Sequence, residues 1–268
     1  MTDPYLASDA LRQSAQIIAA ARTSLKPLPA LPPQLIPSSI EDGYRIQSEV
    51  HQLLVPELGP LVGYKIGCTS DVMQKYLAIP HPCAGGVLAR AVHESGVVLD
   101  AAAYVRVGVE CEIAVRLGKD LVPAGAPFTP DSVVGSIECY LPAIEIVDDR
   151  YVNWETLGAP TLIADDFFAA GIVLGRPAAR AAVADLLAVE GRTLINGREA
   201  GRGNGADVLG HPHNALAWLA NQLASQGKAL RAGEIVMTGS LVKTVWLEAG
   251  NEVTMEFSGL GTVQATVA

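Results

Sequence analysis

Positive charge is in short supply: 19 lysines and arginines face 28 aspartates and glutamates, a net charge of −9 over 268 residues. That deficit argues against nucleic acid or an anionic membrane as the main partner and leaves a small molecule. Cysteine is scarce too. Cys68, Cys83, Cys111 and Cys139 show no CxxC spacing and no paired-histidine companion, so neither a zinc site nor a redox dithiol is indicated. No stretch approaches the roughly 18 uninterrupted apolar residues of a membrane span. The opening MTDPYLASDALRQ lacks the basic flank and apolar run of a secretory signal, so the expectation is an intracellular protein with reduced thiols. HExxH, a GxSxG elbow, a P-loop lysine and a GxGxxG frame are all missing. The glycines of GRGNG therefore read as a flexible turn.

What is present is apolar bulk, 50% of the chain, enough for one large domain or a core with a small appendage. From Tyr5 to about Ser24 the spacing of Leu6, Leu11, Ile17, Ile18 and Ala21 predicts a helix with one apolar stripe. LKPLPALPPQLIP, with five prolines in thirteen residues, ends it. A Ser38-x-x-Glu41 capping box then opens a second helix carrying Ile40, Tyr44, Val50, Leu53 and Leu54. Residues 1–60 thus read as a helical N-terminal region, and residues 61–268 as a β-rich catalytic domain.

After Gly59 short β-branched runs alternate with glycines: LVGYKIG, GGVLA, GVVLD, RVGVECEIAVRL, PAIEIV, AAGIVLG, RTLING, EIVMTGS and NEVTMEF. Helices are expected at Asp71–Leu77, Ala179–Val189 and in GHPHNALAWLANQLASQG, where Pro212 suits the first turn and Gly227 the C-terminal cap. Strands and helices do not alternate regularly, which disfavours a doubly wound parallel sheet.

RVGVECEIAVRL poses the chemical question. Its odd positions, Val107 to Leu117, form one apolar face, so Glu110 and Glu112 share the other. Two residues along a strand span roughly 6.5–7 Å, so ionised carboxylates there repel unless a cation intervenes. Arg106 and Arg116 on the same face offer one answer, a solvated ion-pair surface; a bound metal offers another. Glu145, 33 residues beyond Glu112, sits between Ile144 and Ile146, a costly place for an unpartnered charge. Three carboxylates without thiolate or imidazole suit a hard cation such as Mg²⁺ or Mn²⁺. Lys65 in GYKIGCTS either snorkels to solvent or joins this site to stabilise an enolate oxygen or move protons. Thr238 and Ser240 of TGS offer hydroxyls at a strand end, as a turn or as a carboxylate cradle.

In order, GYKIGCTS, VECEIAVRLGKDL, PAIEIVDDRY, VLGHPHNALAWLANQL and GEIVMTGS resemble the fumarylacetoacetate hydrolase superfamily, in its branch of 2-oxopent-4-enoate hydratases and 4-oxalocrotonate decarboxylases. The resemblance runs from about Ser39 to the C-terminus. It implies an α+β fold, a mixed β-roll core with a small helical N-terminal region and inserted helices, assembled as a homo-oligomer in the cytoplasm. It also implies one Mg²⁺ or Mn²⁺ held by Glu110, Glu112 and Glu145, a catalytic role for Lys65, and substrate binding by Thr238 and Ser240.

Two departures stand out: Cys83 occupies the place of an expected aspartate, and Asp166, Ala169 and Ala170 occupy the Asn, Ser and Arg region that holds a distal carboxylate in the decarboxylases. Both Cys83 and Asp166 fall on the substrate side of the site. The implied reaction is hydration of a 2-hydroxy-2,4-dienoate in aromatic catabolism. A decarboxylase, a C–C bond hydrolase or a non-catalytic partner subunit are the competing readings.

Overall fold

In a computed structural model that describes residues 7–268, the apolar alternation of Val107–Leu117 becomes a long strand with one face wholly buried. Fourteen strands are present among the described residues. In chain order they are β1 (Leu61–Gly67), β2 (Cys83–Leu88), β3 (Val92–Glu94), β4 (Val97–Leu99), β5 (Val107–Leu117), β6 (Ile137–Asp148), β7 (Ala169–Leu174) and β8 (Ala178–Ala179). They continue as β9 (Glu190–Ile195), β10 (Arg198–Asn204), β11 (Ile235–Ser240), β12 (Val245–Trp246), β13 (Glu252–Phe257) and β14 (Gly261–Val267). The larger sheet runs β2-β1-β11-β5-β6-β7-β3, with β12 on β5 and β8 on β6; the smaller runs β10-β9-β13-β14-β4. Both mix parallel and antiparallel pairs: β1 lies parallel to β11 and antiparallel to β2, and β4 lies parallel to β14.

The two faces of β5 serve different cores. Val107, Val109, Cys111 and Ile113 pack in one cluster with Val253, Met255 and Phe257 of the smaller sheet. On the opposite face Ala114 joins Val87, Leu141, Ala143, Ile172 and Met237 in a second cluster inside the curl of the large sheet. Glu110 and Glu112 continue that inner face, so the acids sit directly beyond an apolar floor.

Helices α1 (Ser8–Ser24), α2 (Ile40–Leu58), α3 (Asp71–Tyr76), α4 (Pro130–Val134), α5 (Ala159–Ala164) and α6 (Pro212–Ser225) decorate the sheets. The expected start of the first helix at Tyr5 and Leu6 lies outside the described residues. The cap of α2 is shifted by one from the expected box: Ser39, not Ser38, caps it by accepting the Asp42 amide at 3.1 Å, and Ser38 donates to the Asp42 carboxylate. α2 crosses α5 at Gly43, where a Cβ would lie 2.6 Å from the Pro160 carbonyl oxygen. In α6, Pro212 opens the first turn and the His211 ring caps it by accepting the His213 amide at 2.9 Å.

Two expectations fail. Ala179–Val189 is no α-helix: it holds the end of β8 and a single 3-10 turn at Arg180–Ala182, because Ala178 and Ala179 pair with β6 instead. GRGNG is no flexible turn; most of it belongs to β10, whose small residues pair with β9 along Arg198–Asn204. The short helices α4 and α5 lack the length that would mark them in sequence, whereas β14 carries the alternation Val263, Ala265, Val267 on its buried face.

Candidate metal centre and active site

Glu110 and Glu145 stand opposite each other in the β5–β6 ladder, and Glu112 faces Ala143 on one side and Ser240 of β11 on the other. Cross-strand pairing therefore brings the third acid to the pair that alternation had already placed on one face. One oxygen from each of the three carboxylates lies within 4.8 Å of the others. Glu112 and Glu145 are each only 1% exposed.

Few protein donors meet these acids. Thr244 donates its hydroxyl to Glu110 Oε1, and the Gly239 amide donates to Glu112 Oε2 at 2.9 Å. Lys65 Nζ lies 3.0 Å from Glu145 Oε1. Glu112 Oε1 and Glu145 Oε2 are buried without a hydrogen-bond partner. Burial, then Glu145, pushes Glu110 up to about 6, and burial with both neighbouring glutamates pushes Glu112 well above the carboxylate range. The single lysine does not neutralise three carboxylates. The orphaned buried oxygens and the all-oxygen donor set fit a hard divalent cation held by Glu110, Glu112 and Glu145. The ion-pair alternative is not realised: Arg106 pairs with Asp149 at 3.3 Å and lies over the Trp246 ring, and among the described residues no ion pair joins Arg106 or Arg116 to either glutamate.

Lys65 is 4% exposed. Burial alone would lower its pKa, but Glu145 and then Glu110 outweigh it and hold it above the ordinary lysine value. In the metal-free chain Lys65 is thus held as the ammonium partner of Glu145. Its Nζ also points at the Phe167 carbonyl, 3.4 Å away. That carbonyl sits in a run of three left-handed residues, Asp166, Phe167 and Phe168, with φ of 53°, 50° and 68°. A side chain in that region costs about 1–2 kcal/mol per residue, and here the buried partners of Asp166 hold the conformation.

Asp166 accepts His51 Nε2 at 2.8 Å, the Gly86 amide at 2.9 Å and Arg22 at 3.0 Å. Burial would raise its pKa, but His51 and Arg22 drive it below the carboxylate range. Gly85 separates Asp166 from Lys65: a Cβ there would lie 3.0 Å from the Asp166 Cβ and 3.1 Å from Lys65 Cγ. Asp166 is therefore next to the site but turned to the helical layer. Its bond to Gly86 ties β2 to the start of β7.

The remaining expected residues are distributed as follows. Thr238 is fully buried and donates to the Ile113 carbonyl at 2.7 Å, so its hydroxyl serves the strand while the adjacent Gly239 amide serves Glu112. The Ser240 hydroxyl donates to the Val242 carbonyl. Cys83 is buried with its thiol hydrogen-bonded to that of Cys68; this bond first, then burial, pushes Cys83 up, while the same bond lowers Cys68. His81 is engaged with the Pro82 carbonyl and stacks on Trp218. Arg22, His51, Arg150 and Thr244 carried no sequence signal, except that two adjacent aspartates at 165–166 in an apolar run demand partners. The Gly239 amide, by contrast, lies in the TGS stretch whose amide and hydroxyls suit a carboxylate.

Three carboxylates, two of them buried, with one paired lysine inside a mixed sheet make a donor set suited to a hard divalent cation. Residues 86–268 match the fumarylacetoacetate (FAA) hydrolase C-terminal family. The chain is 32% identical over 268 residues to 2-keto-4-pentenoate hydratase 2 of Dechloromonas aromatica, covering 100% of both chains. It is 35% identical to 2-hydroxyhexa-2,4-dienoate hydratase of Comamonas testosteroni, over 92% of each. Among solved structures it is similar to 4-oxalocrotonate decarboxylase from Pseudomonas putida G7, complexed with magnesium and adipate, with a TM-score of 0.92 and 27% identity over 98% of this chain and 99% of that one. The chain belongs to the fumarylacetoacetate hydrolase family.

Proposed function

We propose that this protein is a divalent-metal-dependent hydro-lyase that adds water to a 2-hydroxy-2,4-dienoate of the 2-oxopent-4-enoate type, giving a 4-hydroxy-2-oxo acid. The observation that carries this is the Glu110–Glu112–Glu145 cluster, buried at Glu112 and Glu145 and half-buried at Glu110, with Lys65 paired to one member. The hydratase names of the relatives support it. Mg²⁺ or Mn²⁺ held by the three glutamates would supply Lewis-acid polarisation of the carboxylate and C2 oxygen of the substrate.

The chain's own residues supply the rest. Lys65, paired with Glu145 at the edge of the cluster, stabilises the negative charge that develops on the C2 oxygen as the dienol ketonises and takes a proton at C5. Water then adds at C4 and a proton at C3, so the product differs from the substrate by one water. The Gly239 amide and Thr244 hydroxyl hold Glu112 and Glu110 in place, and Gly85 leaves room for Lys65. Cys83 and Asp166 border the site, the Asp166 carboxylate turned to the helical layer and the Cys83 thiol hydrogen-bonded to that of Cys68, while Thr238 and Ser240 shape the strand end. A homo-oligomer in the cytoplasm, with a helical region at 1–60 and a catalytic domain at 61–268, completes the reading.

The close likeness to a decarboxylase structure favours one second reading, a 2-oxo-acid decarboxylase. Loss of the dienoate's ultraviolet absorbance, dependent on Mg²⁺ or Mn²⁺ and abolished by chelation, with a hydroxy-oxo acid as product, supports the hydratase. Release of carbon dioxide from an oxalocrotonate would support the decarboxylase, and no turnover of any dienoate by metal-loaded protein would sink the first reading.

A further inference from the structure

No two cysteines of this chain stand in a CxxC spacing, yet the fold brings two of them together. Cys83 opens β2 opposite Gly67, the last residue of β1. Cα atoms facing each other across an antiparallel ladder stand about 4.5–5.5 Å apart, and the next Cα along the chain lies about 3.8 Å farther on. Cys68 is that next residue. Taken roughly at right angles, the two steps put the Cys68 and Cys83 Cα atoms about 6 Å apart, within the roughly 4.4–6.8 Å that a disulfide spans. The left-handed backbone of Cys68, with φ of 57°, leaves the ladder and turns its thiol onto that of Cys83, to which it is hydrogen-bonded.

The pair is asymmetric. Cys83 is 1% exposed, whereas Cys68 is half-buried and meets solvent. Their hydrogen bond lowers the pKa of Cys68 and raises that of Cys83. An accessible thiol with thiolate character, set beside a buried partner that can resolve it, is the arrangement that peroxides oxidise selectively. Cys111 and Cys139 are both buried and form the internal comparison.

The pair also borders the glutamate centre. Thr69, the residue after Cys68, lies against Gly239, where a Cβ would stand 2.5 Å from Thr69 Cγ2. The Gly239 amide donates to Glu112 at 2.9 Å. An S–S bond is only about 2.05 Å long, so closing it draws Cys68 toward β2 and takes Thr69 with it. Gly239 then loses the packing that aims its amide at Glu112.

We propose that Cys68 and Cys83 are an oxidative modification site, converted by hydrogen peroxide to a reversible disulfide that weakens metal binding at Glu112. In the first step the Cys68 sulfur attacks a peroxide oxygen. An S–O bond forms, the O–O bond breaks, and the departing hydroxide takes the thiol proton and leaves as water. The Cys83 sulfur then attacks the sulfur of the Cys68 sulfenic acid. The S–S bond forms, the S–O bond breaks, and the second hydroxide leaves as water with the Cys83 proton. Two thiols thus give two electrons to one peroxide, which ends as two waters. The proposal stands apart from the hydratase reading, since its effect is read on metal binding and not on turnover.

The test treats Mg²⁺-loaded protein with stoichiometric hydrogen peroxide and maps its unreduced peptides by mass spectrometry. The expected product is a single intrachain link between Cys68 and Cys83, with Cys111 and Cys139 still thiols, and dithiothreitol should reverse it. Cys83→Ser should instead accumulate the Cys68 sulfenic acid, trapped by dimedone. After removal of Mg²⁺, calorimetric titration should show Mn²⁺ binding about 10–100-fold weaker in the oxidised protein, the scale on which metal sites respond to losing a partner of a ligand. The same peroxide treatment should leave the Mn²⁺ affinity of Cys68→Ser unchanged. Oxidation of Cys68 past the sulfenic acid without a link, a link between two chains, or earlier oxidation of Cys111 or Cys139 overturns the site. A complete Cys68–Cys83 link with unchanged Mn²⁺ affinity overturns its effect on the metal centre. Failure to hydrate any dienoate would sink the hydratase reading and leave both of these results standing.

Discussion

Replacing Glu110 by glutamine should make the metal-free protein more stable, because the side chain is held where its charge is unwelcome. One of its oxygens lies within 4.8 Å of one oxygen each of Glu112 and Glu145, a separation at which a pair of unit charges repels by about 3.5 kcal/mol at an effective dielectric of 20. Protonation limits that cost. Burial and Glu145 push Glu110 from 4.5 to about 6, which corresponds to about 2 kcal/mol of native-state penalty once the group is ionised. A raised carboxyl pKa destabilises fully above the folded value and not at all below the unfolded one. The gain from Glu110→Gln should therefore be complete at pH 8, shrink between about pH 6 and 4.5, and vanish below. Glutamine keeps an acceptor for Thr244, so packing is preserved.

In EDTA at pH 8 the variant should melt about 4–8 °C above wild type, taking 2–4 °C per kcal/mol for a chain of this size class. With Mn²⁺ at a hundredfold excess over its dissociation constant, wild type gains about 2.7 kcal/mol, and the order of melting temperatures should reverse. Scanning calorimetry under both conditions decides. A variant that melts at or below wild type in EDTA, or that gains as much from Mn²⁺, would refute the assignment of Glu110 as a metal ligand.

Lys65→Met removes the cation beside Glu145 and should lower kcat/KM about 10²–10³-fold while Mn²⁺ still binds, as steady-state kinetics and calorimetry would show. Asp166→Ala strips three partners and leaves Arg22 and His51 facing a gap, so urea unfolding should report a loss of about 3–5 kcal/mol. Because the folded pKa of Asp166 is depressed, that contribution is present in full above about pH 4 and declines as the pH falls toward the folded value. Gly85→Ala forces a methyl between Asp166 and Lys65 and should cost about 1–3 kcal/mol; a variant with wild-type kinetics and melting temperature would show that the close approach does not matter.

The meeting of the three glutamates was largely legible because its signal is local. Alternation alone places Glu110 and Glu112 on one face of β5, and the apolar setting of Glu145 marks a charge in need of a partner. Alternation does not say which strands neighbour one another, and the β5–β6 ladder that sets Glu145 opposite Glu110 had to come from the ordered motifs or the fold. The helix expected at Ala179–Val189 failed for a related reason: local helix-forming composition lost to pairing of Ala178 and Ala179 with Tyr140 and Cys139. Lys65 was placed correctly in its strand, but its protonation followed from three acids on other strands rather than from burial alone.

The Arg22–Asp165–Arg150 and Asp166–His51 contacts were illegible because each spans from a helix near the N-terminus, or a loop after β6, to the edge of β7. A sequence can show that Asp165 and Asp166 need cations without showing which ones answer. The answers interlock: Arg22 pairs with both aspartates, Arg150 with Asp165, and Asp166 also takes His51 and the Gly86 amide, so helix α1, helix α2, strand β2 and the loop after β6 are tied to the start of β7 by charges that no single segment of sequence contains.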